Sequence, residues 1–338
     1  MFTDSLRKIT RREDLDASEA AQMVDEIFSG SLTDAQIGAF MAALATKGET
    51  FEELAGAANA MRRKALRIET PASTIVDIVG TGGDGAMTFN ISTTAAFVVA
   101  GCGVTVAKHG NRSVSSQCGS ADVLEALGMN LDLDPELVEE AVTDIGVGFL
   151  FAPKYHGAMR FAATARKDVA IRSIFNMLGP LTNPAAANCQ VLGVYAPELT
   201  EMFARALQKL GSRRVFVVHG HDGLDEISVC AATRISELND GRIQTYDISP
   251  AQFFDEPAAP EALSGGEPTE NAAIAIKILD GEKGPRRNVV LINAAAALVA
   301  AGKAEKLADG IPMAEYAIDS GAARDKLDAL IAFTRENT

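Results

Sequence analysis

Residues Gly80 to Ser120 read GTGGDGAMTFNISTTAAFVVAGCGVTVAKHGNRSVSSQCGS, and this stretch decides the fold. The run before it, Thr74-Ile-Val-Asp-Ile-Val79, has the length and β-branching of a buried strand. The chain then turns through Gly80, Gly82, Gly83 and Gly85, and Ser92 to Ala100 reads as a buried helix of small residues. Strand, glycine turn and helix in that order expose several backbone N–H groups to an anion. Glycine permits positive φ there and leaves no Cβ in the way of phosphate oxygens. A second strand, Val104 to Ala107, ends in Lys108-His109-Gly110-Asn111-Arg112. Ligands of open α/β sheets sit at strand ends, so this cationic cluster is expected to face the same crevice as the turn.

Two nucleotide-binding motifs are set aside. Gly80-Thr-Gly82-Gly-Asp-Gly85 satisfies the dinucleotide pattern G-x-G-x-x-G, but that fingerprint needs an acidic residue after the second strand, and this chain has Lys108 and His109. A P-loop requires Gly-Lys-Ser/Thr, which does not follow. The plainer alternative is a tight turn that merely packs a helix on a strand. It leaves unexplained why four glycines, an Asp, Asn-Ile-Ser-Thr and Lys-His-Gly-Asn-Arg converge.

The chain has 338 residues, enough for one large domain or two. Its net charge of −14 disfavours nucleic acid or an anionic membrane as partner. An anionic substrate then needs cations concentrated locally, as at Lys108 and Arg112. Cys102, Cys118, Cys189 and Cys230 are scattered without metal or disulfide spacing and read as small apolar residues of a reducing compartment. The N-terminus, MFTDSLRKITRREDLD, lacks an apolar signal segment. The longest apolar run, Leu291 to Ala301, contains Asn293 and falls short of the roughly 20 residues of a membrane span. A cytoplasmic protein is expected.

Residues 1 to about 70 read as three short helices. Asp16-x-x-Glu19, Thr33-x-x-Gln36 and Thr50-x-x-Glu53 have the capping-box pattern, and Gly30 and Gly48 sit where helices stop. Ile37, Phe40, Met41 and Leu44 line one apolar face; Phe51, Leu54 and Met61 line another. From about 71, strands alternate with helices, the signature of a mostly parallel sheet. Gly146 to Ala152, Cys189 to Tyr195 and Arg214 to His219 read as strands, and Asp134-Pro135 starts a helix. Ile227 to Leu238 and Arg242 to Ile248 flank Asn239-Asp240-Gly241, a hairpin signal. Pro250 to Pro268 is an acidic loop, and Ala272 to Thr338 reads as helical. Pro153 to Pro184 does not fit the alternation.

Asp225 and Glu226 follow the strand Arg214 to His219. Two adjacent carboxylates in a loop suit a hard cation such as magnesium that keeps waters and substrate phosphates as its other ligands. A solvated acidic loop fits the pattern equally. His219 and His221 have no third ligand at a recognisable spacing for zinc.

GTGGD, NIST and KHGNR, together with LTDAQIGAFMAAL, PKYHGAMR, IFNMLGPLTNP, GLDEIS and LINAAAAL, run through the chain in one order. In this the chain closely resembles the anthranilate phosphoribosyltransferase family of tryptophan biosynthesis. The resemblance implies a small all-helical domain, residues 1–70, joined by a returning segment at about 166–185. It also implies a large α/β domain, residues 71–338, with a mostly parallel central sheet flanked by helices, as in nucleoside phosphorylases and phosphoribosyltransferases. The implied reaction moves the phosphoribosyl group of 5-phosphoribosyl 1-pyrophosphate (PRPP) to the amine of anthranilate. By resemblance, PRPP is held by Gly80, Gly83, Asp84, Thr88, Asn90, Ile91, Ser92 and Thr93, by the loop Lys108, His109, Gly110, Asn111, Arg112, Ser113, Val114, Ser115 and Ser116, and by Ser120. Anthranilate meets Gly80, Asn111 and Arg166, the last set across the cleft from the glycine turn. Mg2+ meets Ser92, Asp225 and Glu226. Lys108 is expected to offset charge on the leaving pyrophosphate, and His109 either shapes the pocket or accepts a proton late. The family also implies a homodimer built on the N-terminal helices. Two positions depart from its pattern: Gly157 stands where proline is commoner, and Ser173 where threonine is usual. A pyrimidine nucleoside phosphorylase and a non-catalytic nucleic-acid-binding homologue are the rival readings; the basic signature differs from the first, and the charge opposes the second.

Overall fold

The computed structural model describes residues 2–113 and 117–337. The chain opens with four helices, α1 (Phe2–Thr10), α2 (Ala17–Phe28), α3 (Asp34–Lys47) and α4 (Phe51–Lys64). All three capping boxes are present: Asp16 with Glu19, Thr33 with Gln36 and Thr50 with Glu53. Each satisfies backbone N–H groups that a first helical turn leaves orphaned, worth about 1 kcal/mol. The sequence reading counted three helices, and α1 is the addition. It buries only Phe2, Ser5 and Ile9, too few apolar positions for its period to stand out.

Among the described residues seven strands follow: β1 (Ile75–Gly80), β2 (Thr105–Gly110), β3 (Val147–Phe151), β4 (Cys189–Gly193), β5 (Arg214–Gly220), β6 (Thr233–Asn239) and β7 (Arg242–Ile248). Their order is β3-β2-β1-β4-β5-β6-β7. β1 to β5 are parallel and β6 and β7 form an antiparallel hairpin at the edge. The hairpin turns at Asp240 and Gly241, both at positive φ, as Asn-Asp-Gly predicts. The strand expected from Ile227 begins only at Thr233. The Ser228 hydroxyl accepts the N–H groups of Cys230 and Ala231, which turns the chain locally instead of extending it.

The remaining helices are α5 (Ile91–Gly101), α6 (Ser120–Ala126), α7 (Pro135–Asp144), α8 (Ala152–Tyr155), α9 (Arg160–Val169), α10 (Ile174–Met177), α11 (Leu199–Lys209), α12 (Pro268–Leu279), α13 (Pro285–Ala300), α14 (Leu307–Asp319) and α15 (Ala322–Glu336). They cover both faces of the sheet. Alternate strand residues point to opposite faces. Val191, Phe216 and Val218 therefore enter one core with α5 and α12 to α15. Leu192, Val194, Val215 and Val217 enter another with α11 and the N-terminal helices. In that second core Phe175 of α10 packs on Phe28 and Phe40 with ring centroids 6.2 and 6.3 Å apart. The segment that broke the strand–helix alternation thus lies against the N-terminal bundle. The longest apolar run is the buried core helix α13, and no helix among the described residues is long and apolar enough to cross a membrane.

Candidate active site

The ends of β1, β2, β4 and β5 converge on one crevice. Gly80 closes β1, and a Cβ there would lie 2.3 Å from Asp225 Oδ2. At Gly193, which closes β4, a Cβ would lie 1.5 Å from the Asp225 carbonyl oxygen. Only glycine at both strand ends lets the Asp225-Glu226 loop lie across them. The loop is held from both sides. The Gly82 N–H donates to Asp225 Oδ2 at 2.9 Å, and the Asp225 N–H donates to Asp84 Oδ2 at 3.3 Å. Behind it, the fully buried Asn293 of α13 brackets Ile227, accepting its N–H at 3.0 Å and donating to its carbonyl at 2.9 Å.

Glu226 caps α5: its Oε1 accepts the Ser92 N–H at 3.1 Å, placing negative charge at a helix N-terminus. Lys108 reaches the same place from β2, donating to the Ile78 carbonyl and, at 3.3 Å, to Ser92 Oγ. Carboxylates outnumber ammonium groups here. Burial pushes the Asp225 carboxyl well above the usual carboxylate range, and the neighbouring Asp84 and Glu226 push it further. Burial pushes Glu226 up to about 7 against the pull of Lys108. Burial lowers the Lys108 ammonium against the opposing pull of Asp77, Glu226 and Asp225. Such a pocket favours a further cation.

His109 follows Lys108 on the strand and so points to the opposite face of the sheet. Its Nδ1 lies 3.0 Å from the Gly179 carbonyl and its Nε2 lies 3.2 Å from His156 Nε2. The carbonyl can only accept, so His109 carries its proton on Nδ1 and His156 donates from Nε2. Burial lowers His109 to about 3, helped by His156, and burial lowers His156 to about 4. Both rings are neutral, and both His109 nitrogens are engaged by the protein.

The helical bundle domain of a glycosyl transferase family matches residues 3–65, and its a/b domain matches residues 72–324. Anthranilate phosphoribosyltransferase of Desulfosudis oleivorans is 70% identical across 100% of both chains. The crystal structure of the Thermus thermophilus enzyme superposes with a TM-score of 0.93 at 43% identity, covering 98% of this chain and 99% of that one. The chain belongs to the anthranilate phosphoribosyltransferase family. A more distant member of that family, from Saccharomyces cerevisiae, was solved in complex with PRPP and Mg; it is 30% identical with a TM-score of 0.88 over 98% of each chain.

Of the positions that the family resemblance singled out, Gly80, Ser92, Lys108, Asp225 and Glu226 meet in this crevice. Gly80, Gly83 and Asp84 form the turn; Thr88 bridges to Ser264; Asn90 precedes α5; and Ile91, Ser92 and Thr93 begin that helix. Lys108, His109 and Gly110 end β2. The loop beyond folds on itself: Ser120 Oγ donates to the Asn111 carbonyl at 3.2 Å, and Asp122 accepts the Ser113 N–H at 3.1 Å. Val114, Ser115 and Ser116 lie outside the described residues. The expected cationic cluster is divided. Lys108 faces the crevice, whereas Arg112 pairs with Glu125 at 2.8 Å and Asp122 at 3.1 Å. Arg166 sits half-buried on α9. The arginine in contact with the turn is Arg172, whose Nη2 donates to the Gly83 carbonyl at 3.0 Å. Asp77, His156, Arg172, Asn183 and Asn293 were not assigned to the site by the sequence reading. Asp77 alone carried a local signal, as a charge inside an apolar strand.

Proposed function

We propose that this chain transfers the phosphoribosyl group of PRPP to the amine of anthranilate, giving N-(5-phosphoribosyl)anthranilate and pyrophosphate in tryptophan biosynthesis. One observation carries the reading: the glycine turn, Lys108, and the Asp225–Glu226 pair meet at the N-terminus of α5. The turn and α5 cradle the donor with backbone N–H groups. Lys108 bears on the pyrophosphate, where charge grows as the bond to the anomeric carbon breaks and the sugar becomes oxocarbenium-like. Asn111 and Arg166 orient anthranilate, the guanidinium fork matching its carboxylate. Anthranilate's amine is uncharged at neutral pH, so it needs positioning more than deprotonation. His109, with both nitrogens engaged, shapes the pocket.

The residues fit Mg2+. Ser92, Asp225 and Glu226 offer hard oxygen ligands in a crowd of carboxylates. Mg2+ held by one or two carboxylates completes its shell with water and substrate phosphates. Bound there, Mg2+ supplies positive charge against the leaving pyrophosphate. We further infer a homodimer built on the N-terminal helices, a helical unit of residues 1–70 with the returning segment 166–185, and a cytoplasmic setting that suits four free cysteines.

The deciding assay follows anthranilate fluorescence on adding PRPP, with and without magnesium. Magnesium-dependent loss of signal is expected. An unchanged signal, with phosphate-dependent thymidine cleavage in its place, would assign the chain to the nucleoside phosphorylases.

A further inference from the structure

β1 stays paired with β4 from Val76 to Gly80, and β2 with β3 from Val106 to Gly110. Between them, β1 and β2 pair only at Ile75–Thr105 and Val76–Val106. These two strands part just below the point where Lys108 enters the crevice. A parting ladder leaves backbone N–H and C=O groups that a dry interior must satisfy by other means.

Lys108 itself takes the Ile78 carbonyl in this gap, and two further side chains fill the rest. Asp77 Oδ1 accepts the His109 N–H at 3.1 Å. Asn183 Nδ2 donates to Asp77 Oδ2 and to the Ala107 carbonyl, each at 2.8 Å. Asn183 is itself fixed, its Oδ1 accepting the Ala185 N–H at 2.9 Å. Asp77 is fully buried and Asn183 nearly so. A carboxylate in such a place is costly unless its oxygens are bonded and a positive charge stands near. Lys108 is that charge.

We propose that Asp77 and Asn183 act as a positioning pair that wedges β1 from β2 and sets the backbone from which Lys108 reaches the donor's pyrophosphate. The pair rests on the reading of the site given above and extends it. It also ties the segment carrying Asn183, which follows the Gly179 carbonyl that holds His109, to the donor side of the cleft.

Asp77→Asn keeps the acceptor for the His109 N–H but turns an amide against the Asn183 amide. Asn183→Ala deletes both of its donor contacts. Kinetic constants for each substrate come from anthranilate fluorescence, and circular dichroism at the assay temperature reports folding. In folded Asp77→Asn, kcat/KM for PRPP should fall about 100-fold, the scale of a misplacement of about 1 Å. The KM for anthranilate should stay within about threefold, as expected when only the donor side is disturbed. Asn183→Ala should show the same split. Folded variants with unaltered constants, or with both substrates affected alike, would overturn the proposal. So would failure of both variants to fold, which would make the pair a folding element only. A wild-type chain that leaves anthranilate untouched would remove the activity reading and the proposal together, a result distinct from an active wild type with unaffected variants.

Discussion

Arg172 lies over the ring of Tyr195, its guanidinium carbon 3.8 Å from the ring centroid, and from that perch donates to the Gly83 carbonyl. The contact joins the segment after α9 to the glycine turn. A Cβ on Gly83 would stand 2.4 Å from the same Nη2, and Gly83 has φ +74°. Both space and backbone conformation demand glycine there. Stacking and a directed hydrogen bond suit guanidinium and not ammonium.

Arg172→Ala and Arg172→Lys should therefore both loosen the turn. Each is expected to lower kcat/KM for PRPP by about tenfold, the value of one hydrogen bond aided by charge. Steady-state kinetics with PRPP varied tests this; a lysine variant that restores full activity would show that charge alone matters.

Arg166 has no hydrogen-bond or ion-pair partner among the described residues, and burial lowers its guanidinium from its ordinary value. Its assigned partner is the anthranilate carboxylate. Arg166→Ala should raise the KM for anthranilate by about 30-fold or more, the loss of a charged hydrogen bond of roughly 2 kcal/mol. The KM for PRPP should hold. Equal effects on both substrates would remove the assignment.

Asp225→Asn combined with Glu226→Gln removes the paired negative charge beside Asp84 while keeping the shape of the loop. The double variant should lose magnesium-dependent turnover. Titrating magnesium against rate reads it directly, and wild-type rates at limiting magnesium would mean that the loop is merely solvated.

Gly193→Ala puts a methyl group 1.5 Å from the Asp225 carbonyl oxygen, a collision that only movement of the loop relieves. Overpacking of this kind costs about 1–3 kcal/mol. Thermal melting should show the loss of stability, and activity should fall further than stability because the displaced loop carries Asp225. A variant as stable and active as wild type would contradict the observed packing.

The His109–His156 pair makes stability depend on pH. Both rings titrate far below the unfolded value of about 6.5, so the folded state keeps them neutral while the unfolded state takes up protons. Their contribution is present above about pH 6.5 and is lost as pH falls towards 4. By pH 5 the loss is about 2 kcal/mol for each ring. His156→Asn should be less stable at pH 7.5 yet lose about 2 kcal/mol less between pH 7.5 and 5. Urea midpoints at the two pH values report the difference, and parallel pH dependences would refute it.

The sequence by itself determined what depends on neighbours along the chain. Capping boxes, the hairpin turn, the glycine turn and the change of period at about residue 71 are each written within a few residues, because local backbone geometry sets them. Adjacent carboxylates at Asp225–Glu226 and the cations after the second strand were legible too, and family resemblance added the roles expected of them. Tertiary structure alone decided which distant groups meet. Arg172 and Gly83 are 89 residues apart, Asn183 and Asp77 are 106, and Gly82 and Asp225 are 143. No local pattern encodes such pairs: they arise when parallel strands end side by side and leave buried polar groups that must find partners across the sheet. For the same reason Arg112, cationic by sequence, turned to Glu125, while Lys108 took the crevice.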